Sequence, residues 1–231
     1  MTTTIITPRM TALRKSALAA GICYLITFVS IPTLALYSAV RADPGYIASA
    51  GTVTPVVIGV VLEIIVALGC IGTAVALYPV VRRQNEGVAL GFVAARTLEA
   101  ATIFAGVVAL MAIVSLRQAG AGPDSIVTGQ ALLALNTWTT VLGQGFIPAL
   151  NALLLGSLLY RSRLVPRVLP VLGFIGAPIL IASVIGALFG LWGPSSLPSG
   201  VGSLFLASWE FSLGLWLVVK GFKPSPVTAG L

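Results

Sequence analysis

The sequence predicts an all-α fold: a polytopic membrane protein built as a bundle of six transmembrane helices, with both termini cytoplasmic. Three observations predict it. Hydrophobic residues make up 58% of the 231 positions and charged residues only 8%, with a mean hydropathy of +1.06, outside the balance of water-soluble domains. Six apolar runs reach the length of about 20 residues that a hydrocarbon layer of roughly 30 Å requires at about 1.5 Å per residue. Lys and Arg are crowded into alternate connections, the asymmetry that orients spans with their basic ends in the cytoplasm.

Each span is bounded by recognisable chemistry. The first, Ala17–Val40, follows Arg9, Arg14 and Lys15 and ends at Arg41 and the turn Asp43-Pro44-Gly45. Small residues at Ser38–Ala42 resemble a signal-peptide cleavage site, but the run far exceeds an h-region of about 7–15 residues, so a retained helix is expected. The second, Pro55–Val80, ends at Arg82 and Arg83. The third, Val88–Leu116, ends at Arg117 and the turn-forming Gly120–Asp124. The fourth, Ala131–Tyr160, runs into Arg161, Arg163, Pro166 and Arg167. The fifth, Val168–Leu191, ends at the uncharged connection Trp192–Gly200, and the sixth, Val201–Phe222, carries Lys220 and precedes Lys223. Tyr78 and Tyr160 near the basic side, and Tyr37 and Trp192 near the other, are placed as interfacial anchors. Residues 1–16 read as a cytoplasmic segment, 17–222 as one transmembrane domain and 223–231 as a cytoplasmic tail, disordered from Pro224 to Leu231.

Against this apolar background Glu63, Arg96, Glu99 and Glu210 stand out, each inside a span. A charge there costs at least about 2.5–3.5 kcal/mol on insertion scales, so it faces the bundle interior and pairs. Counted along the helices, Glu63 lies about 8 residues in from the outer end of its span, Arg96 and Glu99 about 8 and 11 from the inner end of theirs, and Glu210 about 9 from the outer end. Arg96 and Glu99, three apart, share a helix face. Three carboxyls and one guanidinium at similar depth predict one convergent network in which one or two carboxyls hold a proton. The network is either a polar lock on helix register or a site for a proton, cation or polar ligand.

The fourth span adds a polar stripe. Asn136, Thr140, Gln144, Pro148 and Asn151 fall within an arc of about 120° at about 100° per residue, and they face protein or a cavity rather than lipid. Asn136, Thr140, Gln144 and Asn151 are the cavity-lining candidates. Pro148 leaves a backbone carbonyl without its donor. Small residues flank the acids: Gly59, Ala67, Cys70 and Ala74 on the face of Glu63, and Ser203, Ala207 and Gly214 on that of Glu210, seams that allow close helix approach. Gly186 and Gly190, four apart, read as a packing pair of the same kind. A three-plus-three inverted repeat would equate Glu99 with Glu210, but no self-similarity surrounds them.

Missing residues exclude chemistries. With no histidine, the HExxH metal site, the Ser–His dyad and histidine-ligated haem are ruled out. Asp43 and Asp124 both lie in outer connections, which removes an intramembrane aspartyl pair. Lys15, Lys220 and Lys223 lie at helix ends, away from any Schiff-base position. Cys23 and Cys70 sit inside apolar runs and read as small core residues. The positive charge of +7 is scattered in small groups with no interleaved aromatics, so nucleic acid is excluded as a partner. No metal, no cofactor and no catalytic residue is assigned.

Gly21-Ile22-Cys23-Tyr24-Leu25, Ala95-Arg96-Thr97-Leu98-Glu99-Ala100 and the closing stretch from Glu210-Phe211-Ser212-Leu213-Gly214 to Lys220-Gly221-Phe222 resemble the bacterial family catalogued as domain of unknown function 4386. The resemblance implies a small integral protein of a bacterial inner or plasma membrane with no assigned activity. It carries an Arg-x-x-Glu pair in the third helix, here Arg96 and Glu99, and a Glu near the start of the last, here Glu210. Glu63 rests on its burial alone. Two functions fit: a small transporter or ligand-binding protein in which Glu63, Glu99 and Glu210 hold a proton or cation and Arg96 balances them, or a non-catalytic interaction or sensor subunit in which the same charges are structural. The lipid bilayer is the partner common to both.

The topology is directly testable. In a cysteine-free background, single cysteines at Ser225 and Glu86 are expected to resist an impermeant thiol reagent in intact cells, while one at Ser196 reacts. Labelling at Ser225 with protection at Ser196 inverts the orientation.

Overall fold

The computed structural model describes residues 10–229, and these are helical with no strand among them. Helix α1 (Ala12–Ile26) runs through a 3-10 turn (Thr27–Ser30) into the short α2 (Thr33–Leu36), and α3 (Ser38–Ala42) caps that end. The long helices α4 (Thr54–Val81) and α5 (Glu86–Gln118) follow. The fourth span is α6 (Ile126–Thr140), a π-helical turn (Val141–Phe146) and α7 (Ile147–Ser162), and α8 (Val168–Leu188) and α9 (Leu197–Val219) complete the chain. Six of these units, starting with Ala12–Leu36, are long and apolar enough to cross a membrane. Their outward faces carry Leu34, Val75, Val108 and Leu204, each 66–71% exposed, the surface that hydrocarbon rather than water covers.

Local signals place the ends. Thr11, Asn85 and Ser196 accept from the backbone N–H groups of Arg14, Val88 and Ser199, capping α1, α5 and α9. Pro32 cannot donate to the carbonyl four residues back, and the first span changes from α through 3-10 geometry around it. The π turn likewise sits immediately before Pro148, where Ile147 N–H bonds Leu142 O, five residues back.

Packing follows chain order around a ring. α1 packs on α4, α4 on α5, α5 on α6 and α7, α7 on α8, α8 on α9, and α9 returns to α1. The core has two parts. At the basic end, Tyr24, Leu77, Phe92, Leu155, Trp209 and Leu213 belong to one cluster that takes residues from all six spans. At the other end, where Arg41 and Arg117 are matched by Asp43 and Asp124, a second cluster around Tyr37, Ile47, Val60, Leu110 and Ile113 takes nothing from α8 or α9. The ring is therefore closed at the basic face and loosely filled at the neutral face. Both chain ends meet at the basic face, where Arg14 donates to the carbonyls of Leu217 (3.0 Å) and Val218 and so caps α9 with a positive charge. Arg9 lies outside the described residues.

Three expectations change. The tail is folded from Pro224 to Ala229: Lys223 N–H bonds Leu164 O (2.8 Å), Ser225 Oγ bonds Ser162 O (2.6 Å), and Thr228 is buried. The exposed carbonyls at the end of α7 supply a docking edge that composition alone hides. Gly230 and Leu231 lie outside the described residues. Tyr37 is no interfacial anchor but fully buried, its ring lying on Gly59. Gly186 accommodates the Trp192 ring and Gly190 ends α8 at φ +70°, so the pair serves a turn rather than a helix crossing.

Where α1 crosses α9 the backbones touch. A methyl on Gly21 would stand 2.7 Å from Gly214 O and 2.9 Å from Val218 N, whereas one on Gly200 meets nothing. Gly21→Ala is expected to cost about 1–3 kcal/mol and Gly200→Ala close to none, read by unfolding in detergent. Equal stability of the two variants would show that the crossing is not close.

Candidate functional site

Arg96 projects from α5 into the ring on the same helix face as Glu99. Its Nη1 donates to both carboxylate oxygens of Glu99 at 3.1 and 2.9 Å, and its Nη2 donates to Glu210 Oε1 on α9 at 2.6 Å. Asn151 on α7 donates to Glu99 Oε2 at 2.7 Å, and Cys70 Sγ on α4 lies 3.7 Å from Nη1. The guanidinium also stands 4.9 Å from the centre of the Tyr24 ring on α1 and 6.0 Å from that of Phe92. Five of the six spans thus converge on the Arg96–Glu99 pair. The Arg96 and Glu99 side chains are 1% and 7% exposed, and Glu210 17%. Glu210 is the member that reaches open space.

That space is a cavity of about 240 Å³ lined by all six spans, with Arg96, Glu99 and Glu210 on its wall and Phe28, Ile31, Val66 and Leu206 giving it an apolar surface. A second cavity of about 590 Å³ lies at the neutral end, bordered by Arg41, Thr140, Ser183, Ser196 and Ser203. Gln144 and Ser203 line both, so the two abut. Gln144 stands in the π turn before Pro148, and this wide turn puts its side chain at the junction. π turns inserted in α-helices recur at functional sites for this reason.

The polar stripe of the fourth span divides in the folded chain. Asn136 is buried and donates to Gly106 O at 3.1 Å, joining α6 to α5 without lining either cavity. Thr140 lines the outer cavity and Gln144 both, Pro148 lines the inner one, and Asn151 belongs to the charge network.

Glu63 stands apart. It is 4% exposed, its polar surroundings are Gln144 and Tyr37 with Arg41 as the opposite charge, and among the described residues it makes no ion pair. It precedes Cys70 by two turns on α4, which puts it about 10 Å nearer the neutral face than Arg96. Depths reckoned from opposite helix ends made the four charges level. With α4 of 28 residues and α5 of 33, both longer than a span needs, such reckoning overstates the coincidence. Cys70 and Tyr24 were missed as site members because a small apolar residue and an aromatic carry no signal in a membrane span. Ser183 and Ser196 were missed because serine is common at helix ends.

Removing one partner from a buried charge set strands the others. Arg96→Met is expected to destabilise by about 3–5 kcal/mol, Arg96→Met with Glu99→Met to recover part of the loss, and exposed Arg161→Ala to stay within about 0.5 kcal/mol of the parent. Unfolding in detergent measures all three. Parent-like stability of Arg96→Met would show that the guanidinium does not hold the ring together.

No curated protein and no solved structure matches the chain. A family does, over residues 19–221, which includes every charge of the network and both cavities. The chain is a member of the family described as Domain of unknown function (DUF4386).

Proposed function

We propose that this protein binds a proton or a small cation at Arg96, Glu99 and Glu210, and that it acts as a ligand-binding or transport protein of the membrane. The observation that carries the reading is stoichiometric: two carboxyl groups share one guanidinium at the inner end of two abutting cavities. The second carboxyl must hold a proton or meet another positive charge, because an unpaired carboxylate in a water-poor interior is strongly disfavoured. The exchange belongs to the Glu99–Glu210 pair, of which Glu210 is the member more open to the cavity.

The basic connections orient the neutral face outward, so the site loads from outside through the cavity bordered by Arg41 and Ser196. The all-span core at the basic end closes the other side. The two irregular segments, the 3-10 turn at Thr27–Ser30 and the π turn at Val141–Phe146, both border the inner cavity, where a change of helix geometry alters access with least disturbance of packing.

The competing reading is a sensor or interaction subunit with structural charges, favoured by the hydrogen bonds that both Arg96 amino groups make to carboxylates. Difference infrared spectroscopy against pH separates the two. In the parent one carboxyl C=O band is expected to appear and vanish reversibly, and to be lost in folded Glu210→Gln while persisting in Arg161→Ala. No titrating carboxyl in the parent, or an unchanged band in Glu210→Gln, leaves the charges structural.

A further inference from the structure

The inner cavity has hydrogen-bond acceptors to spare. Arg96 engages Nη1 with Glu99 and Cys70 and one N–H of Nη2 with Glu210, and its buried Nε has no hydrogen-bond partner among the described residues. Thr27 Oγ1 donates to Tyr24 O at 2.7 Å and Ser30 Oγ to Thr27 O at 2.9 Å, so each hydroxyl keeps only lone pairs for the cavity it lines. Glu210 Oε1 is taken by Arg96, while Oε2 accepts no hydrogen bond among the described residues. Besides Arg96 Nε, Gln144 and Ser203, at the junction with the outer cavity, are the lining groups left able to donate.

A ligand that matches this wall carries several N–H donors and a positive charge. The rest of it must be apolar, because Phe28, Ile31, Val66, Ile103, Leu180 and Leu206 form most of the remaining surface. A hard metal cation matches poorly. Magnesium and calcium take about six to eight oxygen ligands, whereas among the described residues no three acidic or cysteine side chains are grouped to hold a metal. The volume of about 240 Å³ is slightly below the span of about 300–1,000 Å³ usual for ligand pockets, so the ligand is small.

We infer that the inner cavity binds a small protonated organic amine, its N–H groups on Glu210 Oε2 and the Thr27 and Ser30 hydroxyls and its hydrocarbon against the apolar wall, and that the amine exchanges with a proton on the Glu99–Glu210 pair. The inference rests on the proton-or-cation reading of this site and names the cation. The charged and titratable groups facing the pair are Tyr24 from α1, Cys70 from α4 and Arg96 from α5. The cavity lining from α8 is the apolar Leu180, and that from the fourth span is Gln144 and Pro148, so neither adds a competing charge. Amine entry releases one proton to water, and the net charge of the cavity is unchanged by the exchange.

The test is calorimetric titration of the full-length protein in detergent with benzylammonium, benzyl alcohol, benzoate, sodium and potassium, alongside proton release in weak buffer. Benzylammonium is expected to bind saturably, at least about tenfold tighter than benzyl alcohol or benzoate, releasing a proton and tightening up to about tenfold per pH unit where the pair is protonated. Binding is expected to fall at least about tenfold in Glu210→Gln and in Ala207→Phe, which fills the cavity, and to be unchanged in Arg161→Ala. Equal binding of benzyl alcohol, or full binding by folded Glu210→Gln, overturns the amine assignment. So does a Glu210-dependent response to sodium, potassium or pH with no benzylammonium binding, which leaves the broader proton-or-cation reading standing. No response to any cation or to pH removes both. Should Glu210→Gln fail to fold, the charge preference of the parent and the Ala207→Phe variant decide.

Discussion

Arg96 reaches across the helix ring. α5 and α9 are not neighbours in the ring, yet the bond from Arg96 Nη2 to Glu210 Oε1 joins them through its centre. In hydrocarbon the hydrophobic effect does not draw helices together, so association rests on close packing and interhelical hydrogen bonds. Neighbouring helices have the first; opposite ones need the second. Glu99, Cys70 and Tyr24 gather around the same guanidinium and Asn151 holds Glu99, which lets a group of high desolvation cost stay buried and makes it the point that several helices share.

The same arrangement makes room for chemistry. A ring of six helices has a wider centre than a four-helix bundle, and side chains from all six spans meet in one core cluster only at the basic end, with Tyr24, Phe92, Trp209 and Leu213 among them. Above them the two cavities remain. The segments beside the opening are those in which helix geometry is already irregular, at Pro32 and at Pro148, because a residue without an N–H interrupts the ladder of bonds that would otherwise hold a straight helix. Packing, polar pairing and access to the site therefore depend on the same few residues.

Close backbone approach supports this geometry from outside. Gly21 and Gly214 bring α1 against α9 so that Tyr24, one turn further along α1, reaches the Arg96 guanidinium. On the neutral side Gly59 receives the Tyr37 ring, which places that phenol beside Glu63 and leaves the second buried acid in a setting of its own. Glu63 and Glu210 are both carboxyls on small-residue seams, yet of the two only Glu210 pairs with a guanidinium among the described residues.

Hydropathy and the spacing of Arg and Lys were sufficient to read the helical class, the number of spans and their limits to within several residues, because each is a one-dimensional consequence of membrane thickness and helix rise. The pairing of Arg96 with Glu99 was legible for the same reason, since three residues apart on a helix is one face. Which acid from another helix completes the pair depends on rotation and depth of whole helices, and these are set by packing. Spacing alone did not tell Glu210 from Glu63 as that partner, and it is Glu210 that meets Arg96. Asn136 and Asn151 share a stripe, but one bonds a backbone carbonyl and the other Glu99. Composition determined that charges must be buried together; only the tertiary structure decided which ones meet, because contact between distant helices is a matter of three coordinates and sequence spacing supplies one.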